Sequence, residues 1–482
     1  MKLAAERMMF GNIGIIHFIG IGGIGMSGIA EILHNLGYKV QGSDIAENYV
    51  IKRLRQKGID IFIGHNAENI EQANMVVKSS AVKDNNPEII AAKHKHLMVI
   101  KRSEMLAELM RLKISIAIAG THGKTTTTSL VASMFESASL NPTVINGGII
   151  NTHGTNAYLG SGDFLIAEAD ESDATFIKVP STIGVITNID PEHLDFYGDF
   201  NNLKAAFKTF IENLPFYGFG VLCKDHPEVA KLAEEVIDRR IITYGIERDD
   251  VEVRAINIKL SIDGSDFDVE ITDYQTQEKR WIKDVHLPIA GIHNVSNSLS
   301  AIAIALQLKF KDEIIKSGFE GFKGVKRRFT KIGEVNGVTI IDDYAHHPKE
   351  IAVTIKTAKI ITEKTNGKII VVAQPHRYSR VSDLFSEFTR CFEGADIMII
   401  TDIYSAGEEP IVGINKEVLI TSIKQLGYCQ DVRALDNAEQ LAKLILSVSN
   451  KNDIVLCLGA GNITNWAASL PQEIEKLNEL VN

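Results

Sequence analysis

Two glycine-rich loops, each leaving an apolar strand and entering a helix, limit what this chain can become more than any other feature of its sequence. The first, Gly20-Ile21-Gly22-Gly23-Ile24-Gly25, follows the apolar run 13–19 and precedes a helix expected over 27–36, with the next strand at 39–41. That order opens a βαβ unit, so an α/β fold built on parallel sheet is expected. Glycines permit the tight turn and let backbone N–H groups approach a diphosphate at a helix N-terminus. Asp44, in Gly42-Ser43-Asp44, stands about where a carboxylate reaches a ribose hydroxyl. The motif alone fits NAD or FAD, another nucleotide diphosphate, or purely structural glycines.

The second loop, Gly120-Thr121-His122-Gly123-Lys124-Thr125-Thr126, leaves the strand 114–119 and enters a helix expected from near Thr127. It is the more specific signal. Backbone amides and the helix end suit phosphate oxygens, a lysine neutralises charge between the β and γ groups, and a threonine hydroxyl can ligate Mg²⁺. Lys124 and Thr125 fill those two roles. Strict phosphate-loop spacing would put a further glycine at Ile118, so this is a looser variant.

A chain of 482 residues exceeds what one hydrophobic core supports, and about two to four domains are expected. A first α/β segment ends in a strand at 75–78 and a helix at 103–111, which puts a boundary near residue 112. A second begins with the strand 114–119, continues through strands 164–167 and 183–187 and a helix at 203–214, and closes with a helix at 294–308. Within it the alternating runs 251–262 and 267–271 suggest an antiparallel excursion. The stretch 322–329 reads as a connection. A third segment alternates strands at 338–341, 368–373, 397–401 and 454–458 with helices at 382–392 and 438–446. The domains are therefore set at 1–112, 113–323 and 324–482.

Composition excludes several function classes. With 45% hydrophobic and 23% charged residues the chain can bury a core, and a net charge of -10 without any long basic run lacks the field of a nucleic-acid binder. Its apolar runs fall short of a bilayer span, and glycines interrupt the only apolar candidate for a leader peptide, so neither membrane nor export is expected. Cys223, Cys391, Cys429 and Cys457 have no paired spacing and suit reduced thiols. A cytoplasmic enzyme of small molecules, monomeric or weakly dimeric, is the expectation.

From residue 120 onward the motifs resemble the Mur ligases and folylpolyglutamate synthetases. They run in family order: Gly120 to Thr126, then Glu168-Ala169-Asp170-Glu171-Ser172-Asp173, Thr187-Asn188-Ile189-Asp190-Pro191-Glu192-His193-Leu194-Asp195, and Gly291-Ile292-His293-Asn294 with Asn297. Arg327-Arg328-Phe329 and Asp342-Asp343-Tyr344-Ala345-His346-His347-Pro348 follow. The N-terminal glycine string, the paired histidines and Gln374-Pro375-His376-Arg377-Tyr378-Ser379-Arg380, with a shorter echo at Tyr404-Ser405-Ala406-Gly407-Glu408, resemble the branch that uses L-alanine. The resemblance implies three domains: a Rossmann-like one for a UDP substrate, a central P-loop-like ATPase and a C-terminal Rossmann-like α/β domain for the amino acid. It implies ATP-driven ligation of L-alanine to the lactyl carboxylate of UDP-N-acetylmuramate through an acyl phosphate, in peptidoglycan synthesis. A relative that joins a peptide to the same sugar in cell-wall recycling is the alternative.

The same resemblance distributes the roles. ATP falls to Gly120, Thr121, His122, Gly123, Lys124, Thr125 and Thr126, with His293, Asn294 and Asn297 toward the adenine and Arg328 acting like an arginine finger. Mg²⁺ falls to Thr125 and Glu168, with His193 as the ligand of a second ion. Gly20, Gly22, Gly25 and Ser27 take the UDP diphosphate, with Asp44 and Ser80 near the nucleoside. Tyr344 and His346 hold the muramate end or steer the amine, together with Asp343, and His376, Arg377 and Arg380 grip the alanine carboxylate. Phe207 stands where some relatives carry a carbamylated lysine, so that modification is not expected. Taken singly, an acidic run is commonly a solvated loop, a lone histidine an ordinary hydrogen-bonded side chain, and Asn294 a helix cap.

Overall fold

The computed structural model describes residues 13–79, 81–172 and 174–481. It contains three sheets, whose central strands are short apolar runs buried on both faces, as parallel strands covered by helices require. The first has strands β1 (Ile15–Ile19), β2 (Lys39–Asp44), β3 (Asp60–Ile63), β4 (Ala73–Lys78) and β5 (Met98–Lys101), in the spatial order β3-β2-β1-β4-β5. All its pairings are parallel, and the order reverses at β1, so the first glycine loop leaves the sheet at its switch point. Gly42 allows the close fit there: a Cβ on it would lie 2.7 Å from the Phe18 carbonyl oxygen.

The second sheet has ten strands: β6 (Ile114–Ala119), β7 (Thr143–Ile150), β8 (Thr155–Tyr158), β9 (Phe164–Glu168), β10 (Ile183–Ile186), β11 (Phe219–Cys223), β12 (Arg240–Gly245), β13 (Val253–Leu260), β14 (Ser265–Thr272) and β15 (Lys279–Leu287). Their order is β15-β14-β13-β12-β11-β10-β6-β9-β7-β8. The strand feeding the second glycine loop, β6, lies between β10 and β9 and is parallel to both. The expected excursion is β13 to β15, which extends the sheet at one edge. Its first turn, closed by Ser261 N–H to the Gly264 carbonyl, is too short for a parallel crossover.

The third sheet, β16 (Thr330–Val335), β17 (Val338–Asp343), β18 (Ile369–Ala373), β19 (Ile397–Thr401), β20 (Asp431–Leu435) and β21 (Ile454–Leu458), has the order β16-β17-β21-β18-β19-β20. It is parallel except for the edge strand β16.

Two compact units hold these sheets. The first contains residues up to 258, 267–287 and 295–323, and the second 259–266, 288–294 and 324–482. The first two sheets share a unit because the helix Ile24–Asn35 packs on the β7–β8 hairpin: Asn156 Nδ2 donates to the Ile24 carbonyl at 2.6 Å, and a Cβ on Gly28 would lie 2.7 Å from that of Ala157. One apolar cluster runs from Phe18 and Ile29 to Ala157, Phe176, Phe207 and Phe210. No helix among the described residues is long and apolar enough to cross a membrane. All four cysteines are free and buried.

Several local expectations shift. The helix after the second loop begins at Lys124 instead of near Thr127, because Gly123 takes the left-handed conformation and starts it at once. The helix expected over 382–392 is two, Tyr378–Asp383 and Phe385–Arg390, interrupted at Leu384. The β7–β8 hairpin, edge strand β16 and the long helix Ile463–Val481 were absent from the sequence reading.

Candidate active site

Gly120 and Gly123 shape the second loop. Gly120 has φ +130°, and a Cβ there would lie 2.1 Å from Thr187 Oγ1; a Cβ on Gly123, at φ +84°, would lie 2.7 Å from Asn297 Oδ1. The loop is stitched to the end of β10 by Asn188, whose Oδ1 accepts the His122 N–H at 2.7 Å and whose carbonyl accepts that of Thr121. Thr187 and Asn188 were quoted from the sequence only as motif letters, and this stitching is their structural role.

Lys124 opens the helix Lys124–Ser137 and turns its ammonium back over the loop. It donates to the carbonyls of Gly120 at 2.6 Å and Thr121 at 3.2 Å, and lies 2.8 Å from both oxygens of Glu171. Burial works against the ammonium charge, but the Glu171 and Glu168 carboxylates outweigh it and hold the amine above its ordinary range. Glu171, the buried partner, carried no role in the sequence reading; only its family position in the acidic run could have signalled it. Thr125 Oγ1 donates to Glu168 Oε2 at 2.9 Å, and the same oxygen accepts the Gly147 amide at 2.9 Å. A hydroxyl and a carboxylate converging beside the phosphate loop form an oxygen donor set that fits Mg²⁺.

His193 caps the short helix Leu194–Tyr197 with φ +55°, its Nε2 3.9 Å from Glu192 Oε2. One ligand atom each from Glu171, Glu192 and His193 fall within 4.8 Å of one another, a grouping that could hold a divalent ion. Phe207 is fully buried against Phe176, while Lys204 and Lys208 pair with Glu228 and Glu235.

At the first loop, Gly20 and Ile21 both donate to the Ser43 carbonyl, at 2.8 and 3.0 Å. Asp44 Oδ2 accepts the Gly22 amide at 2.8 Å and Oδ1 that of Ile45, so this carboxylate braces the loop. Gly23 caps the helix Ile24–Asn35 without a side-chain bond, which leaves first-turn amides for an anion. Ser27 is buried with its hydroxyl on the Ile24 carbonyl. Ser80 and Asp173 lie outside the described residues. The sequence reading missed Arg102: its Nη1 would be 3.1 Å from a Cβ on Gly25, and its Nη2 donates to Asp170 Oδ2 at 3.4 Å. Burial raises the Asp170 carboxyl, but Lys124 and Arg102 bring it below its usual range.

In the second compact unit the strand ends of β17, β18, β19 and β21 gather the remaining candidates. Asp343 Oδ2 accepts the Phe329 amide at 2.6 Å and Oδ1 that of Ala345 at 2.7 Å, tying the arginine pair to the histidine loop. Burial pushes its carboxyl up to about 6 against the pull of Arg328 and these two amides. Arg327 is committed to the carbonyls of Gly459, Ala460 and Gly461, and Arg328 lies 3.9 Å from Glu350; both guanidinium groups stand over the Tyr344 ring, at 4.7 and 5.4 Å.

His346 Nδ1 lies 3.0 Å from the Tyr344 carbonyl, which can only accept, so that nitrogen carries the proton. Burial lowers its pKa despite Glu350, leaving Nε2 an acceptor. His376 stacks on Tyr404 at 5.4 Å and meets Arg380 through its carbonyl at 3.2 Å; burial and His346 bring it down to about 4. Arg377 lies 3.7 Å from Glu408, which also accepts from the Ser379 hydroxyl at 2.7 Å. His293 is half-buried, and loss of solvent around its ring, with Arg328, brings it down to about 4. Asn294 lies inside the helix Ile292–Gln307 and its Nδ2 donates to the Ala290 carbonyl at 2.7 Å, so this bond is not the cap that the sequence left open to it.

Three domain models of the Mur ligase family match the chain in order: the catalytic domain at residues 15–114, the middle domain at 118–305 and the glutamate ligase domain at 327–461. The chain is 55% identical over 463 residues, 96% of it and 98% of the relative, to the UDP-N-acetylmuramate--L-alanine ligase of Brucella ovis. It is 55% identical over 472 residues, 98% of it and 97% of the relative, to the protein of that name from Rhodospirillum centenum. Among solved structures it resembles the UDP-N-acetylmuramate-alanine ligase MurC of Thermotoga maritima, with a TM-score of 0.79 and 29% identity over 97% of this chain and 100% of that one.

Proposed function

We propose, from the premise that this chain belongs to the Mur ligase family, that it joins L-alanine to the lactyl carboxylate of UDP-N-acetylmuramate. The products are UDP-N-acetylmuramoyl-L-alanine, ADP and phosphate, in peptidoglycan synthesis. A carboxylate and an amine do not condense in water unaided. The lactyl carboxylate oxygen attacks the γ-phosphorus of ATP, ADP leaves, and the acyl phosphate so formed has a good leaving group. The alanine nitrogen then attacks the acyl carbon, and phosphate departs from the tetrahedral intermediate.

The observation that carries the reading is the convergence of Lys124, Thr125 and Glu168 where β6 and β9 end. Lys124, held protonated, has the charge to follow the transferring phosphoryl group once a nucleotide displaces it from Gly120, Thr121 and Glu171. Thr125 and Glu168 would hold Mg²⁺, with His193 in reach of a second ion through Glu171 and Glu192. When bound, the ion neutralises phosphate charge. The diphosphate of the sugar nucleotide fits the uncapped helix end beyond Gly20, Gly22 and Gly25, beside Arg102.

His346 Nε2 is the group suited to take the proton that the alanine ammonium must lose, because Nδ1 is spent on the Tyr344 carbonyl. Arg377 and Arg380, steadied by Glu408 and by the His376 carbonyl, offer guanidinium groups to the amino-acid carboxylate. Arg328, 3.9 Å from Glu350, is the arginine of the pair suited to meet phosphate charge, because Arg327 is committed to the carbonyls of Gly459, Ala460 and Gly461. Dependence on ATP and four unpaired thiols support residence in the cytoplasm.

A phosphate-release assay with ATP, UDP-N-acetylmuramate and L-alanine, omitting each in turn, tests the reaction. Phosphate should appear only with all three, and amide product formed without ATP would overturn the reading. A panel of alanine, glycine, serine and the stem tripeptide tests the acceptor. Alanine should have the highest kcat/KM, and preference for the peptide would assign the chain to recycling instead.

A further inference from the structure

A buried carboxylate in the first sheet has no part in the chemistry above. Glu88, on the helix Pro87–His94, is wholly buried, yet its carboxyl is held below its ordinary range: burial alone would raise it, but the hydrogen-bonding of His17, Ser43 and Asn69 outweighs that burial. Oε2 accepts the Ser43 hydroxyl at 2.6 Å, with His65 Nδ1 at 3.3 Å and His17 Nε2 at 3.5 Å; Oε1 accepts Asn69 Nδ2 at 2.5 Å. The proton positions follow from the neighbours. Gln41 Nε2 can only donate to His17 Nδ1, at 3.1 Å, which leaves the Nε2 proton of His17 facing Glu88.

A buried carboxylate is rare unless it is hydrogen-bonded, and here both oxygens accept bonds, Oε2 from Ser43 and Oε1 from Asn69. What the arrangement secures is the end of β2. Ser43 is itself fully buried, so its hydroxyl touches no ligand, but its carbonyl takes the amides of Gly20 and Ile21 and thereby sets where the glycine loop leaves the sheet. His17 lies on β1, Gln41 and Ser43 on β2, and His65 and Asn69 beyond β3, so one carboxylate fixes the three strand ends around that loop.

We propose that Glu88 is a positioning residue for the nucleotide end of UDP-N-acetylmuramate, acting through Ser43 on the Gly20 to Gly25 loop. The inference rests on the reading that this loop holds the sugar nucleotide. Steady-state kinetics on the full chain would compare E88A, E88Q, S43A and G22A with the unsubstituted enzyme, with melting temperatures measured alongside. In E88A and S43A, KM for UDP-N-acetylmuramate should rise roughly tenfold, the scale of one lost hydrogen bond to a charged group, while kcat and the KM values for ATP and L-alanine stay within about twofold.

E88Q keeps an acceptor for the Ser43 hydroxyl and should lie nearer the unsubstituted enzyme. A purely structural role would instead lower melting temperature and active fraction with KM unmoved, and that result in E88A or in the milder S43A would overturn the inference. If E88A does not fold, S43A decides. G22A separates the two ideas, because a Cβ there would lie 2.9 Å from Asp44 Oδ2 and disturb the loop directly. An unchanged KM in G22A would overturn the reading of the loop, whereas a raised KM in G22A with normal S43A and E88A would overturn only the role of Glu88.

Discussion

The place of Lys124, at the end of a glycine turn between strand and helix, was legible from its spacing. Its partner was not, because Glu171 lies 47 positions along the chain and meets it only when β6 and β9 pair. Removing the amine in Lys124→Ala leaves Glu171 buried without its counter-ion and removes the phosphate-neutralising charge together. Phosphate release at saturating substrates should fall at least on the order of a hundredfold to a thousandfold. Near-normal turnover would show that the loop is not the ATP site.

Asp343 offers a pH test. Its pKa of about 6 lies above the roughly 3.9 of an unfolded aspartate, so between those values the folded protein holds the extra proton and stability falls as pH rises. Activity should run the opposite way. Above about pH 6 the carboxylate accepts the Phe329 and Ala345 amides together and fixes Arg328, Tyr344 and His346, and below it one bond is lost. A rising limb near pH 6 in kcat/KM for alanine, absent from Asp343→Asn, is the expected profile.

Among the elements, those read best were parallel strands with continuous apolar runs. Strands β6, β19 and β21 begin and end where the sequence put them, since runs such as Ile454 to Leu458 are buried on both faces and bounded by polar turns. The β7–β8 hairpin escaped notice because Asn146, Gly147 and Gly148 break its pattern, and Gly147 lies against a candidate site residue: a Cβ on it would lie 2.5 Å from Glu168 Oε2. Helix starts were misjudged where a left-handed glycine, as at Gly123, replaces the usual polar cap. Such turns tolerate little. Gly120→Ala puts a methyl group in a conformation nearly reserved for glycine and 2.1 Å from Thr187 Oγ1, whose hydroxyl donates to the His122 carbonyl. A loss of about 1–3 kcal/mol is expected from urea unfolding, with KM for ATP raised in the same protein. An unchanged midpoint would mean that the loop yields without strain.

At the scale of the whole molecule, the two glycine loops belong to different sheets but to one compact unit, and Arg102 spans them. Its guanidinium stands beside Gly25 of the first loop and bonds Asp170, which sits in the acidic run between the Glu168 and Glu171 that face the second. On the proposed assignment of the loops, a diphosphate arriving at the first would compete with Asp170 for Arg102, and a nucleotide arriving at the second would draw Lys124 away from the same acidic run. Each ligand therefore changes the charge balance that the other meets, and by linkage the effect is reciprocal. A non-hydrolysable ATP analogue should change UDP-N-acetylmuramate affinity by a factor between about 5 and 150, the usual span of such coupling. In Arg102→Ala, calorimetry should find the sugar nucleotide bound more weakly and that factor reduced toward one, with ATP affinity alone little altered. Full coupling in the variant would assign communication to other contacts between the two sheets, such as the packing of the helix Ile24–Asn35 on the β7–β8 hairpin.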